Sequence, residues 1–141
     1  NYGVEAFTAP LIRDCQKNGL RHVEVREQSI ETFLVEAEGQ GRQWDAVLCL
    51  GVLHHFHTGY GDHPEAGQLD AAALRVLYER LGKVTRQALY LCVDTTRIAD
   101  LDAFLDELCR AGEFLRPKLL GWSCSATGQR RPLWEIRKSH A

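Results

Sequence analysis

The sequence predicts an α/β domain with a doubly wound, mostly parallel sheet that ends in an antiparallel strand from a C-terminal hairpin. Short apolar runs alternate with stretches of helical period, the pattern of strands and helices that follow each other along the chain. The 141 residues are 45% hydrophobic and 26% charged, the composition of one soluble globular domain. Right-handed crossovers between parallel strands would place helices on both faces of the sheet.

The first elements are predicted from short signals. Tyr2–Ala6 is predicted to be a strand. Thr8 is predicted to cap a helix with Pro10 in its first turn, where a missing N–H costs little, and Asn18-Gly19 to end that helix. His22–Arg26 alternates between apolar and polar residues, which predicts a second strand.

The remaining elements have longer signals. An apolar run broken only by Asp45 has the pattern of a strand covered on both faces. Glycines follow two runs of helical period, where they would end the helices. In order, the predicted elements are the strand Trp44–Leu50, the helix Leu69–Leu81 ending at Gly82, the strand Ala88–Val93, the helix Asp100–Ala111 closed by Gly112, and the hairpin strands Lys118–Cys124 and Pro132–Arg137.

Charge is unevenly distributed along the chain. The formal net charge is −2, but from Arg116 onward six basic residues stand against one acid, Glu135. A basic end on an acidic body can face an anionic substrate, although a solvated charged surface is the more common alternative. The sequence therefore raises an anionic substrate as a hypothesis only.

The cysteines bear on the cellular compartment. There are five, they are dispersed, and none forms a Cys-x-x-Cys pair. An odd, scattered set is typical of reduced thiols, so we expect a cytoplasmic protein without disulfides. No apolar run approaches the ~20 residues needed to cross a bilayer, so no membrane association is expected.

Residues that follow the predicted strands are the first candidates for chemistry, because ligands of such sheets bind beyond the carboxyl ends of the strands. Glu5 follows the first strand and could accept hydrogen bonds from ribose hydroxyls, with a solvated loop glutamate as the alternative. Asp94 follows another strand and could hold substrate. A turn-capping role together with Thr95-Thr96 is the favoured interpretation of that residue.

Four histidines lie within ten residues, at positions 54, 55, 57 and 63. Imidazoles are common zinc ligands, but this spacing matches no usual zinc pattern and no nearby cysteine completes a set, so no metal site is predicted. A histidine near its ordinary pKa can act as a general base, and His57 is the candidate for that role.

The segment Trp44–Phe56, with the sequence WDAVLCLGVLHHF, resembles the fourth-strand motif of class I, Rossmann-like methyltransferases that use S-adenosylmethionine. Gly3-Val4-Glu5 resembles the second strand of that family with its ribose-binding acid. Ser29-Ile30 falls where the loop after the third strand contacts adenine. The order of helix, strand, helix and a two-strand ending is also similar to the family's order.

The resemblance implies S-adenosylmethionine as cofactor and a methyl transfer in which an acceptor in the crevice attacks in line. It also implies a role for each matching residue. Glu5 would bind the ribose, Ser29 and Ile30 the adenine, and Leu50, Gly51 and His55 the methionine side. His57 is not part of that resemblance and stays the separate candidate for a general base.

The chain also departs from the family's pattern. The family's first strand and its Gly-x-Gly loop have no counterpart, because Gly39-Gln40-Gly41 precedes a strand instead of following one. We therefore expect residues 1–141 to be a single methyltransferase-like domain truncated at its N-terminus, part of a longer protein, with its site completed by a preceding segment or another chain. The alternative is a catalytically inactive methyltransferase-like binding or regulatory module.

The acceptor is only broadly constrained. The Asn/Asp-Pro-Pro-aromatic signature of amino-group methylators is absent after the fourth-strand motif, which favours an oxygen or carbon acceptor, or a carboxylate. Serine at position 29 replaces the family's usual aspartate. A nicotinamide cofactor fits the strand-end acid but fits Leu53-His54-His55-Phe56 less well. Aromatic and basic residues do not interleave as in single-strand binders, so a small molecule is favoured over nucleic acid.

Overall fold

The computed structural model describes residues 4–60 and 67–140, with side chains from Thr8 onward. The residues form two compact units, Asn1–Phe33 and Leu34–Ala141. In chain order the elements are α1 (Val4–Lys17), α2 (Ile30–Gly39), β1 (Trp44–Leu50), α3 (His55–Thr58), α4 (Ala71–Val84), β2 (Thr85–Cys92), a 3-10 turn (Thr95–Arg97), α5 (Leu101–Ala111), β3 (Lys118–Cys124) and β4 (Arg130–Arg137).

The second unit is built on a four-stranded sheet with the order β1-β2-β4-β3. β1 and β2 are parallel, and α4 makes the crossover between them. β4 is antiparallel to both of its neighbours, β2 and β3. Three strands thus run in one direction and one in the other, which confirms the predicted α/β class with a Rossmann-like, mostly parallel sheet and an antiparallel strand from the C-terminal hairpin.

The helices α4 and α5 are fixed at their starts by aspartates. Asp70 accepts a hydrogen bond from the Ala73 N–H at 2.8 Å, and Asp100 accepts one from the Ala103 N–H at 3.0 Å. Such N-caps typically stabilise a helix by about 1 kcal/mol. In the described stretches, none of the helices is both long and apolar enough to span a membrane.

The core of the second unit lies between these helices and the central strands. Tyr78 of α4 and Phe104 of α5 meet edge to face, with ring centroids 6.0 Å apart. Fully buried apolar side chains of this unit include Leu53, Phe56, Leu81, Leu89, Leu91, Leu108 and Ile136.

The predicted strand Tyr2–Ala6 is wrong from Val4 onward, where α1 begins; Tyr2 and Gly3 lie outside the described residues. Thr8 and Pro10 lie inside this helix and not at its start. The strand prediction depended on a few residues, and Val4–Lys17 is amphipathic over its whole length. Pro10 costs the helix one backbone hydrogen bond, which the remaining turns tolerate.

The predicted strand His22–Arg26 is also wrong. The chain instead forms turns after α1, in which the Leu20 N–H donates to the Cys15 carbonyl at 2.9 Å and the Val23 N–H to the Leu20 carbonyl at 3.4 Å. No strand in the described residues pairs with this segment. Five alternating residues are a short signal, and a strand is stable only with a neighbour to pair with.

The bounds of β1 agree with the prediction, but its predicted burial on both faces is wrong. Only Cys49 is buried, while Leu48 and Leu50 are 63% and 53% exposed. The reason is topological: β1 is an edge strand of the sheet formed by the described residues. Apolar sequence alone did not distinguish an edge strand from a central one.

Gly82 does not end its helix, since α4 continues to Val84 and β2 begins at Thr85. A Cβ on Gly82 would overlap the backbone of Gly112. The glycine is therefore a packing residue that lets α4 approach the chain after α5, and the sequence interpretation of Gly82 as a helix stop is wrong.

Candidate functional site

The carboxyl ends of β1 and β2 lie side by side, because Leu50 pairs with Cys92 in the parallel register. The next residue, Gly51, donates its N–H to the Cys92 carbonyl at 2.8 Å and turns the chain away from the sheet. Its φ of 73° lies in the left-handed region, which glycine adopts without the steric cost other residues meet. The sequence therefore has glycine where this turn requires it.

His54 joins the ends of the two strands from inside the protein. Its ring is only 2% exposed, and Nδ1 accepts a hydrogen bond from the Asp94 N–H at 3.2 Å. Burial, with smaller contributions from the nearby His55 and Arg131, lowers the pKa of His54 to about 4. His54 is therefore neutral at pH 7, and because Nδ1 is the acceptor its proton is on Nε2.

Asp94 is the carboxylate at this end of the sheet. Oδ1 accepts hydrogen bonds from the Thr96 N–H at 3.0 Å, the Thr96 hydroxyl at 2.6 Å and the Gln129 amide at 2.7 Å. Burial would raise the pKa of Asp94, but the hydrogen bonds from Thr96 and Gln129 and the charge of Arg131 outweigh it and hold the pKa below its usual value. Asp94 caps the 3-10 turn, as the favoured sequence interpretation had it.

Two arginines approach the other oxygen of Asp94. Oδ2 lies 3.7 Å from Nε of Arg97 and 3.8 Å from Nη2 of Arg131. Nε and Nη2 of Arg131 also donate to Oε1 of Gln129, at 3.2 and 3.1 Å. Nη1 of Arg131 lies 3.5 Å from the point that a Cβ on Gly51 would occupy. We call this set the strand-end cluster: Gly51, His54, Asp94, Arg97, Gln129 and Arg131.

His55 begins the short helix α3 directly after the strand-end turn. Its Nδ1–H donates to the Gly59 carbonyl at 3.1 Å, and its ring stacks on Tyr60 with centroids 4.3 Å apart. Leu50 and Gly51, the other two residues predicted for the methionine side, lie at the end of β1. The three residues predicted for the methionine side thus belong to one strand and the turn and helix that follow it.

His57 is directed toward the helical core. Its Nε2 is hydrogen-bonded to the hydroxyl of the buried Tyr78 at 3.0 Å, and its ring contacts the edge of Phe104 at 5.3 Å. Burial lowers the pKa of His57, while Glu107 opposes the shift. Burial also raises the pKa of Tyr78. The His57 side chain is therefore neutral at pH 7 and is held by its hydrogen bond to Tyr78 of α4.

The residues predicted for ribose and adenine belong to the first unit. Ser29 precedes α2, where its Oγ accepts from the Thr32 N–H at 3.2 Å and donates to the Thr32 hydroxyl at 2.9 Å, and Ile30 is the first residue of that helix. Glu5 lies in α1, and its side chain is outside the described residues. None of the three follows a strand, and their cofactor roles stay predictions.

Sequence reasoning missed Gln129 and Arg131. Arg131 is the second residue of β4 and Gln129 directly precedes that strand, and Leu133 of β4 pairs with Cys92 at the end of β2. A hairpin whose second strand runs antiparallel to β2 brings its turn to the carboxyl ends of β1 and β2. The predicted hairpin could therefore have indicated these two residues. Within the part of the chain that the structure describes, no three His, Cys, Asp or Glu side chains gather as a metal site would require; His63 lies outside it.

No family model matches the chain, and no curated protein matches its sequence. Among solved structures, the chain is similar to the magnesium protoporphyrin IX methyltransferase of Synechocystis PCC 6803, whose crystal structure contains bound S-adenosylmethionine. The sequence identity is 18% and the TM-score 0.48, over 70% of this chain and 41% of that one. The aligned part thus spans less than half of that protein, and a likeness at this level carries no argument about activity.

Proposed function

We propose that this chain is part of an S-adenosylmethionine-dependent methyltransferase, as a single domain of a longer protein, that methylates an oxygen or carbon acceptor. The observation that carries the proposal is the segment Trp44–Phe56, which resembles the family's fourth-strand motif over a strand and the turn after it. In this segment β1 ends at Leu50, and Gly51 turns at the carboxyl end of the sheet. Ligands of α/β sheets bind at this edge.

The residues at this edge suit such a ligand in two respects. Gly51 has no side chain to cover the backbone at the turn, and the side chain of Leu50 is more than half exposed beside it. When bound, S-adenosylmethionine supplies a methyl group on an activated sulfonium, so the protein's contribution is mainly to position the reactants. Leu50, Gly51 and His55 would line the methionine side.

The assignments in the first unit belong to the same proposal. Glu5 would accept hydrogen bonds from the ribose, and Ser29 and Ile30 would contact the adenine. The Ser29 hydroxyl already forms the N-cap of α2, so it would contact the ligand while it holds the start of the helix.

A proton acceptor is an optional part of the mechanism, because many methyl transfers depend on positioning alone. His57 is the proposed base. It is neutral at pH 7, and in the tautomer whose Nε2–H donates to the Tyr78 hydroxyl oxygen, Nδ1 is unprotonated and would take the proton from an acceptor hydroxyl.

Calorimetric titration with S-adenosylhomocysteine tests the proposal. It is run on this chain and on a longer form extended at the N-terminus, each with and without Glu5→Ala. We expect saturable binding by the extended form and weaker binding when Glu5 is replaced. Absence of binding by both forms would contradict the proposal and leave the inactive binding or regulatory module as the alternative.

A further inference from the structure

The strand-end cluster contains more positive than negative charge. Both Arg97 and Arg131 approach the same carboxylate oxygen of Asp94, and among the side chains of residues 8–60 and 67–140 no other carboxylate forms an ion pair with either. His54 in the same cluster is neutral at pH 7. One carboxylate cannot balance two guanidinium groups, so the described side chains of the strand-end cluster carry one net positive charge.

Arg131 also has an unused donor. Its Nε and Nη2 are held by Gln129, whose own amide is held by Asp94, so the guanidinium plane is fixed in advance of any ligand. Its Nη1 has no hydrogen-bond partner among the described residues, although the side chain is only 25% exposed. A planar guanidinium with a free edge is suited to pair with a carboxylate or phosphate group.

The free edge of Arg131 faces the turn at the end of β1, where Nη1 lies close to Gly51. Arg97, from the 3-10 turn after β2, is 34% exposed and adds a second cation on the same side of Asp94. We infer that the acceptor is an acidic small molecule whose carboxylate or phosphate group is bound by Arg131, with Arg97 beside it. That this anion is the methyl acceptor rests on the proposed function, whereas anion binding at Arg131 does not.

The test follows the arginine Nε–Hε resonances of the full 141-residue chain by NMR at constant ionic strength. Benzoate, phenyl phosphate and the neutral isostere benzamide are titrated separately. We expect a saturable shift of the Arg131 Nε–Hε resonance, and of the Gly51 backbone amide resonance recorded in the same spectra, with benzoate or phenyl phosphate and none with benzamide. The tighter of the two anions identifies which acidic group the site prefers.

Three variants sharpen the test. Arg131→Gln should weaken anion binding at least about tenfold, and Arg131→Lys, which keeps the charge but loses the planar fork, should weaken it less. Arg130→Gln is the matched control, because Arg130 neighbours Arg131 on β4 but lies over the Trp122 ring, 5.0 Å from its centroid. Its anion binding should equal that of the unmodified chain.

Three results would overturn the inference: shifts that do not saturate, equal shifts with benzamide, or unchanged binding in Arg131→Gln. The wild-type resonances locate the anion even if that variant fails to fold. Titration of the 141-residue chain and of its N-terminally extended form with S-adenosylhomocysteine separates the two proposals, and cofactor-product binding counts as absent only when neither form binds. Anion binding without cofactor-product binding would contradict the proposed function alone, and the reverse would contradict only the anionic acceptor.

Discussion

The two ends of β2 use similar residues for different purposes. At its amino end, Gly82 packs against Gly112, and the Thr85 hydroxyl donates to the Leu81 carbonyl at 2.7 Å. Lys138 donates to the Gly112 carbonyl at 2.6 Å. At its carboxyl end, a glycine again lies beside a hydrogen-bonded network, the strand-end cluster.

The two ends differ in what lies beside each glycine and in which acceptors the hydrogen-bond donors meet. The space beside Gly82 is filled by backbone, and the donors at that end bond to the protein's own carbonyl groups. The space beside Gly51 is bordered by the end of the long Arg131 side chain. The amino end of β2 is therefore closed by packing, whereas the carboxyl end leaves Nη1 of Arg131 and the backbone of the Gly51 turn available to a ligand.

Replacement of Gly82 by alanine should have the largest effect on stability. The added Cβ would overlap the backbone of Gly112, which cannot move aside as a flexible side chain would. We expect the free energy of unfolding to fall by at least about 3 kcal/mol, measured by urea denaturation. Gly39→Ala is the control, because no atom lies near its Cβ position and alanine favours the helix. Equal effects of the two substitutions would contradict a packing role for Gly82.

Acidification should destabilise the carboxyl end through His54. Because its folded pKa of about 4 lies below the ordinary 6.5, the unfolded chain takes up a proton between these values that the folded chain does not. The free energy of unfolding should be highest above pH 6.5, fall by roughly 2 to 3 kcal/mol as the pH drops to 4, and level off for this group about one pH unit lower, where the folded chain is protonated too. Denaturant titrations across this range measure the loss.

The variant that isolates this effect is His54→Asn, whose side-chain oxygen can replace Nδ1 as acceptor for the Asp94 N–H without titrating. The charges that face His54 are those of His55, Asp94, Arg97 and Arg131, all of which it leaves in place. His57→Gln is a second control. Burial also lowers the pKa of His57, so this residue would lose stability in the same direction as the pH falls, and the variant shows how much of the loss it causes. An unchanged pH profile in His54→Asn would show that another group causes the loss.

The sequence predicted the second unit better than the first, for a physical reason. The strand Trp44–Leu50 and the helix Asp100–Ala111 have long periodic signals and agree with β1 and α5. Tyr2–Ala6 and His22–Arg26 gave signals too short to distinguish strands from helix or turns. Local pattern also could not show that Gly82 meets Gly112, because they are distant in sequence.

The candidate site was predictable only where one segment contains it. Gly51 follows its strand directly, so the resemblance of Trp44–Phe56 located it. Arg131 reaches the same turn from another strand, through the pairing of β4 with β2. Which ring of the His54-His55 pair points inward depends on the turn geometry after β1, which no periodicity encodes.

Gly51→Ala and Gly128→Ala together distinguish the cost of backbone strain at a positive φ from the loss of ligand access to the strand-end turn. Both glycines have positive φ, 73° and 81°, so each substitution should cost about 1 kcal/mol of stability. Gly128 lies in the hairpin turn with open space around its Cβ position. In the N-terminally extended form, only Gly51→Ala should weaken S-adenosylhomocysteine binding, by about tenfold in calorimetry, because its Cβ would cover the strand-end turn. Similar affinities in the two variants would argue against a ligand at Gly51.

The smallest expected effect is on the coupling between His57 and Tyr78, where the strand-end turn meets the helical core. His57 follows the strand-end turn in sequence, yet its hydrogen bond to Tyr78 and its contact with Phe104 join it to the helical core. A double-mutant cycle of His57→Gln and Tyr78→Phe, measured by urea denaturation, should give a coupling of about 0.5 to 1 kcal/mol. Tyr78→Phe should leave S-adenosylhomocysteine affinity unchanged, because the hydroxyl is buried among α4 and α5. If the cycle shows no coupling while His57→Gln weakens that affinity, His57 belongs functionally to the strand-end turn, and the accessible region extends through α3.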